Sequence, residues 1–401
     1  MSKKAFVGFG FGPIQSGLML FEAWRSGNFS SFTVAEIDAS MVQQVRDNGG
    51  AYTLNIAKED GIEQCTVPGV RMLNPRLPAD RAALVDAVAQ ADELATALPS
   101  VKFFDGDAAS VVAVLSEALN RAPDKQRILY TAENDNHAAE ILLTGIQKRV
   151  APANLANFQV LNTVVGKMSG VISDAPQIQQ LQLATMTPTS TKAILVEQFN
   201  RILISRITLP GFTRGITVFG EKPDLMPFEE AKLYGHNAIH ALIGYLAHQR
   251  GLQTMAQVTM HPDILAIARK AFIDESGAAL VNKYAHLGDP LFTHDGYVAY
   301  ADDLLRRMVN PNLTDLVERV IRDPQRKCSW NDRVYGTMRL ALQQGISPVN
   351  MARGAAAAVT FLLGARPANR PALALALRNL WGASADANAD RLIDLTWNAL
   401  A

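Results

Sequence analysis

Residues 5–13 read Ala5-Phe6-Val7-Gly8-Phe9-Gly10-Phe11-Gly12-Pro13, and a helix-compatible stretch follows from Ile14. A short apolar strand that runs into a glycine string and then into a helix is the start of a dinucleotide-binding fold. Glycines there permit a tight turn and let backbone N–H groups approach a pyrophosphate seated on the helix N-terminus. Gly8, Gly10 and Gly12 are therefore candidate cofactor contacts. The pattern is imperfect, because the third glycine of G-x-G-x-x-G falls on Pro13, which suits a first helical position but changes how helix and strand pack. Taken alone, the string could also be an ordinary tight turn. Lys3 and Lys4 before this apolar run mimic a secretory leader, but the glycines and Pro13 interrupt it and no convincing cleavage site follows, so strand and turn is the better reading.

Outward from this turn, short apolar runs at Thr33 to Ile37, Leu94 to Leu98 and Ile128 to Thr131 alternate with helical periodicity such as Ala108 to Asn120. That alternation predicts an α/β domain with a parallel sheet. Tyr52 to Pro75 is less regular and reads as an inserted hairpin-like excursion. Phe158 to Val165 and Ala193 to Ile207 read as strands extending the same sheet, which closes a Rossmann-type domain at residues 1–222. Beyond Pro223 helix periods dominate, in Phe228 to Gln249, Asp263 to Glu275, Leu313 to Arg322 and Leu373 to Trp381, so residues 223–401 are predicted to be all-α. Ala355 to Ala358, within Arg353 to Gly364, suggests a close-packed helix contact.

The second strand ends in Val34-Ala35-Glu36-Ile37-Asp38, with Glu36 placed 26 residues after Gly10, near the spacing at which a carboxylate accepts a ribose 2′-hydroxyl. NAD is the expected cofactor, since a carboxylate repels a 2′-phosphate and no arginine follows until Arg46. Asp38 could take the same role, and a solvated strand-end acid is the plain alternative.

Composition narrows the function classes. With 38 basic residues against 38 acidic ones and 48% apolar content, a nucleic-acid partner is not expected. The C-terminal alanine-rich runs are too broken to span a bilayer. Two distant cysteines, Cys65 and Cys328, argue against a disulfide framework or a structural zinc and fit a reducing cytoplasm. A chain of 401 residues is long for a single core, and two domains are the default. A monomer or weak homodimer acting on a small molecule is expected.

The most specific signal is Pro227-Phe-Glu-Glu-Ala-Lys232-Leu-Tyr-Gly-His236-Asn237-Ala-Ile-His240. Pro227, Glu229 and Glu230 form a helix first turn. At about 100° per residue, Lys232, His236, His240 and Asn237 lie at roughly 0°, 40°, 80° and 140°, one shared face. Burying such groups unpaired costs about 1–3 kcal/mol each, so a polar substrate explains the cluster better than packing does. His236 and His240 have the spacing of helical zinc sites, but the Glu of H-E-x-x-H is replaced by Asn237 and no third ligand is evident, so no metal is expected. The other chemistry is metal-free proton and hydride transfer, with a lysine of burial-depressed pKa as base and amide donors to the developing oxyanion.

Lys232-x4-Asn237-x2-His240 resembles the catalytic signature of the polyol-specific long-chain dehydrogenase/reductases, the mannitol dehydrogenase family, and the likeness runs along nearly the whole chain. Within the family it is nearest to members acting on mannitol 1-phosphate. Supporting segments are Thr96-Ala97, Ala132-Glu133-Asn134, Glu275-Ser-Gly-Ala with Tyr284, Asn310-Pro-x3-Asp315-x2-Glu318-Arg319, and Arg322-Asp-Pro-Gln-Arg326-Lys327-x4-Asp332-Arg333. The resemblance implies Lys232 as general acid/base, Asn134 and Asn237 as the oxyanion pocket, and His240 as the group that orients substrate hydroxyls. It also implies Thr96 and Ala97 beside the cofactor. Asn134 is placed well on its own account, at the carboxyl end of a strand where open α/β sheets bind ligands. The family's Asp-Arg pair near residue 163 is replaced by Val165-Gly166-Lys167-Met168-Ser169-Gly170, which leaves the identity of the polyol open.

Arg326, Lys327 and Arg333 could grip a substrate phosphate. A salt-bridged surface with Asp323 and Asp332 is the competing reading. The expected function is thus NAD-dependent interconversion of a sugar alcohol, such as a hexitol phosphate, with its ketose. An unphosphorylated polyol or an aldonate as substrate, or a non-catalytic nucleotide-binding regulator, are the alternatives.

Overall fold

The computed structural model describes residues 3–400. The chain divides into two compact units, Met1–Met226 and Pro227–Ala401.

The first unit holds twelve strands: β1 Lys4–Phe9, β2 Phe29–Ala35, β3 Tyr52–Ala57, β4 Ile62–Val67, β5 Val70–Leu73, β6 Glu93–Thr96, β7 Arg127–Thr131, β8 Phe158–Val164, β9 Ser169–Ile172, β10 Ala193–Glu197, β11 Leu203–Ser205 and β12 Gly220–Lys222. Eight of them form one sheet in the order β12-β11-β8-β7-β6-β1-β2-β5. From β5 to β8 every neighbouring pair is parallel. This is a doubly wound sheet whose order reverses between β1 and β6, the switch point at which such sheets bind ligands.

The period-2 alternation of the strands decides the layers. Phe6, Val34, Ala95 and Ile128 enter one apolar cluster, and their neighbours Val7, Ala35, Leu94 and Leu129 enter the other. The second cluster is closed by helices Pro78–Gln90, Val111–Arg121 and Ala138–Gln147.

Two strand assignments differ from expectation. The excursion at 52–75 does contain an antiparallel hairpin, β3 with β4, but its last piece, β5, pairs with β2 and completes the edge of the main sheet. The patch from Ala193 to Ile207 is split. Only Leu203–Ser205 extends the main sheet, while Ala193–Glu197 joins a second sheet, β4-β3-β10-β9. A fully buried apolar run announces a strand without naming its partner. Here the partner is fixed by Asn55, which is buried and bonds the carbonyls of Ala184 and Ile194 at 2.9 and 3.0 Å.

The second unit is helical. Expected helix Leu313 to Arg322 is in fact a 3-10 turn, Pro311–Leu313, and a short helix, Val317–Ile321, separated where Thr314 adopts φ 45°. The expected helix at 263–275 runs on as one rod, Pro262–Lys270, a π-turn Ala271–Gly277 and Ala278–Tyr284. Helix Val349–Leu363 carries the alanine run, and a Cβ on its Gly354 would lie 2.8 Å from Leu242 Cγ and 3.0 Å from Leu242 Cβ. The close contact expected of this segment is therefore real. No helix among the described residues is long and apolar enough to cross a membrane.

The Leu242 Cβ cannot swing aside, so Gly354→Val should cost about 1–3 kcal/mol by overpacking. Urea denaturation of the full chain should show the helical unit's transition at a lower midpoint. An unchanged midpoint would mean the two helices can part freely.

Candidate functional site

In the first unit the glycine turn is built as close-approach sites require. Gly10 has φ 82°, and a Cβ there would lie 2.9 Å from the Ala97 carbonyl oxygen, so only glycine fits between β1 and the end of β6. A Cβ on Gly8 would strike Gln15 Nε2 at 1.9 Å, whereas one on Gly12 would meet nothing within 4 Å. The three glycines thus play different parts: Gly8 makes room for Gln15, Gly10 lets two strand ends touch, and Gly12 leaves open space above the helix start. Gly10 N–H bonds the Ala35 carbonyl and Ala97 N–H the Phe9 carbonyl, at 2.8 and 3.0 Å.

Glu36 lies just past β2 and its carboxylate already accepts three N–H groups, from Phe11 at 2.8 Å, Ile37 at 2.7 Å and Asp38 at 2.9 Å. Such a carboxylate keeps spare acceptor capacity. Asp38 is the N-cap of helix Ala39–Asp47, accepting from Ser40 and Met41 N–H groups. Its role is first of all local. Arg46 is held on the Met72 carbonyl and on Asp80, at 2.7 and 2.6 Å, and does not stand free beside Glu36.

Thr96 is fully buried and donates to Glu133 Oε2 at 2.9 Å, while Leu98 N–H donates to Oε1 at 2.8 Å. Its hydroxyl therefore faces the interior, and Glu133 ties the ends of β6 and β7 together. Burial raises the Glu133 pKa despite these bonds. Asn134, one residue on, is exposed.

In the second unit the signature helix is continuous from Met226 to Gln249, but residues Ala231–Asn237 form a π-turn. A π-turn takes up about one extra residue, so Asn237, at 140° in a regular α-helix, comes back to roughly 40° from Lys232. The regular-helix estimate is corrected by this wider turn. The shifted backbone is stabilised from outside: Ser276 Oγ donates to the Tyr234 carbonyl at 2.7 Å. Ser276 itself belongs to the other π-turn, Ala271–Gly277.

Lys232 donates no hydrogen bond among the described residues and keeps some exposed surface. Its ammonium is nonetheless surrounded by protein, and burial, aided by the Arg333 charge and opposed by Glu229, pulls its pKa down to about 8. His236 is buried, and burial together with the nearby His240, Arg307, Lys232 and Arg333 charges holds its pKa well below the usual value. The centroids of the two imidazoles lie 6.2 Å apart, with the rings inclined at 66° in an edge-on arrangement. His240 Nε2 lies 2.9 Å from Asp315 Oδ2, a contact that fixes the ring. Burial alone would raise the Asp315 pKa, but His240 and Arg319 outweigh it and hold the carboxyl below its usual range. Asn237 makes no side-chain hydrogen bond among the described residues.

Asp315 is the group that residue-by-residue reasoning passed over. It appeared only as part of a family-like segment, and no spacing in the chain links it to a histidine 75 residues earlier. It is delivered by a backbone pairing in which Met255 N–H bonds the Asp315 carbonyl at 2.8 Å and Val317 N–H the Gln253 carbonyl at 3.0 Å. Glu275, another family-like residue, is structural: it accepts from the N–H groups of Asn350 and Met351 at the start of helix Val349–Leu363. Among the described residues no group of three or more His, Cys, Asp or Glu is placed to hold a metal ion.

The basic cluster is engaged. Arg326 pairs with Asp323 at 2.6 Å and Asp332 at 3.3 Å, Arg333 pairs with Asp332 at 2.7 Å, and buried Lys327 donates to the Arg322 carbonyl. Asp323 and Asp332 are the partners that the surface reading of this segment named, and the Arg322 carbonyl is an addition to them.

The Lys232 shift has a stability consequence. Its folded pKa lies below that of the unfolded chain, so the folded state binds this proton more weakly and the lysine costs stability wherever it must be charged. The cost is full below about pH 8 and fades between there and the ordinary lysine value near 10.5. Lys232→Met should therefore raise the Tm more at pH 7 than at pH 10. An equal change at both pH values would show that the amine is not desolvated.

Residues 224–379 match the family model of the mannitol dehydrogenase C-terminal domain. The chain is 28% identical over 357 residues to a mannitol-1-phosphate 5-dehydrogenase of Bacillus licheniformis, a match covering 88% of this chain and 86% of that one. Its fold is similar to a crystal structure of D-sorbitol dehydrogenase, with a TM-score of 0.78 at 13% identity over 99% of this chain and 92% of that one. It is also similar to Pseudomonas fluorescens mannitol 2-dehydrogenase, solved with NAD and D-mannitol, with a TM-score of 0.67 at 15% identity over 100% of this chain and 91% of that one. The resemblance read from the sequence therefore holds: residues 224–379 match the mannitol dehydrogenase C-terminal domain model, and the chain as a whole is similar to polyol dehydrogenases.

Proposed function

We propose that this chain is an NAD-dependent polyol dehydrogenase that interconverts a hexitol phosphate, such as mannitol 1-phosphate, with its ketose, without a metal, using Lys232 as acid/base. The observation that carries the reading is Lys232 itself, an amine with no hydrogen-bond partner among the described residues and a pKa of about 8, on one helix with an unpartnered Asn237 amide and an Asp315-oriented His240.

The first unit is read as the NAD-binding domain and the second as the substrate and catalytic domain. The glycine turn suits a dinucleotide, because Gly10 closes the turn and Gly12 leaves the helix start open. Gly8, Gly10, Gly12, Ala97 and Glu36 would hold the cofactor. Glu36, with Arg46 tied to Asp80, favours a 2′-hydroxyl over a 2′-phosphate. When bound, the nicotinamide accepts or returns the hydride.

The protein's own part is proton chemistry. In the oxidation direction neutral Lys232 removes the hydroxyl proton of the reacting carbon while the Asn237 amide donates to the same oxygen, where negative charge develops. A pKa near the working pH suits this, since both protonation states are then populated. His240, held by Asp315, is fixed to bond a neighbouring hydroxyl. Asn134 is assigned the second oxyanion donor on the family resemblance. A cytoplasmic location goes with this reading.

Phosphate as part of the substrate is drawn from the Bacillus licheniformis relative's name. An unphosphorylated polyol is the second reading, favoured by the ion pairs that occupy Arg326 and Arg333. The two separate in one assay. Arg333→Ala should raise the KM for mannitol 1-phosphate and leave that for mannitol unchanged, and equal effects on both would assign the cluster to structure.

NADH production should be seen with mannitol 1-phosphate, and kcat for oxidation should rise through about pH 8 as Lys232 loses its proton. Lys232→Ala should lower kcat about 10²- to 10⁴-fold with NAD affinity retained, as loss of a positioned acid/base group does. Near-normal turnover in that variant would remove the mechanism. No NADH from any of mannitol 1-phosphate, mannitol, arabinitol or an aldonate would favour a nucleotide-binding regulator.

A further inference from the structure

Helix Val349–Leu363 presents Ala352, Arg353, Ala356, Ala357 and Thr360 to a cavity of about 760 Å³ within the second unit. The spacing is that of a single helical face. Ala355 and Ala358, buried, lie outside this face, as does Gly354, whose Cα packs on Leu242. The cavity exists because the side chains on its floor are small. A leucine at the alanine positions would fill this solvent-open pocket.

Its other walls are the last turns of helices Ala238–Gln249 and Ala389–Leu400, through Leu246, Gln249, Leu395 and Asn398. The size falls in the range of small-molecule sites, about 300–1,000 Å³.

Among the described side chains that line it, charge is one-sided. Arg353 and Arg366 both line the cavity, and none of the described residues lining it is acidic. Neither guanidinium has a hydrogen bond or ion pair among the described residues. That sets them apart from Arg326, Arg333, Arg370 and Arg378 of the same unit, each paired with an aspartate. Helix C-termini at the wall bring partial negative charge of about half a unit each. Planar guanidinium groups bind carboxylate and phosphate oxygens in bidentate fashion, and an alanine and leucine floor favours an aliphatic body.

We propose that this cavity is a second binding site, separate from the Lys232 helix face, for a small organic anion with an apolar body: an alkyl carboxylate or alkyl phosphate held by Arg353 and Arg366. The site takes no part in the dehydrogenase chemistry, so its test does not depend on turnover.

Isothermal titration calorimetry of the full chain with octanoate, octyl phosphate and 1-octanol tests it. Saturable one-to-one binding is expected for at least one of the anions, with the tighter of the two identifying the head group, and at least tenfold weaker binding of the neutral alcohol. Arg353→Gln with Arg366→Gln, both exposed positions, should weaken anion binding at least tenfold with an unchanged Tm, whereas Lys232→Ala should leave it unaltered. The proposal is overturned by an absence of saturable binding with both anions. It is equally overturned if octanol binds as tightly as they do, or if the double variant retains full affinity.

Discussion

The polar helix face of the second unit depends on one carbonyl, that of Tyr234, which accepts from Ser276 and lies 3.2 Å from the Thr337 hydroxyl. Ser276 Oγ donates to the Tyr234 carbonyl at 2.7 Å, in the middle of a π-turn that a helix would not ordinarily keep. π-turns are rare because the wider ring loses backbone contact, and they persist when something outside the helix rewards them. Here the reward comes from a second π-turn, and the two are locked by tight packing. A Cβ on Gly235 would lie 2.6 Å from Tyr297 Oη, and one on Gly277 2.5 Å from Tyr297 Cδ1. With the phase of the helix reset, Asn237 turns toward the side of Lys232, and the polar groups become one array.

The array is also an electrostatic construction. Cations gather around Lys232 and His236, and burial acts in the same direction, so both groups lose protons more readily than in water. His240 is treated differently, being joined to a buried aspartate whose carboxyl is held below its usual range by His240 itself and by Arg319. One helix face thus carries an amine shifted toward neutrality and an imidazole held by a carboxylate, on side chains two turns apart.

The first unit follows the same economy. Gly10 is the one glycine of the turn whose positive φ and contact with Ala97 oxygen are both required, and Glu133 binds the ends of β6 and β7 from beneath. The Glu36 carboxylate, which spacing alone offers as a ribose contact, is in addition the cap that orders the turn through Phe11, Ile37 and Asp38 N–H groups.

How much of this was legible in the amino-acid order follows from the range of each interaction. The strand, glycine turn and helix of residues 5–25, the parallel order of the sheet and the polar face at 232–240 are local patterns, set by periodicity and by glycine's freedom, and the sequence carried them openly. The sequence also named Lys232, Asn237 and His240 as a set. Long-range pairing was decided only by the folded chain. It sent Ala193–Glu197 to a second sheet, brought Asp315 to His240 and placed Ser276 on the Tyr234 carbonyl, which changed the phase of the very helix whose face had been read. Residues 42 or 75 positions apart in sequence leave no periodic trace of their contact, because each partner's identity satisfies local rules equally well without the other.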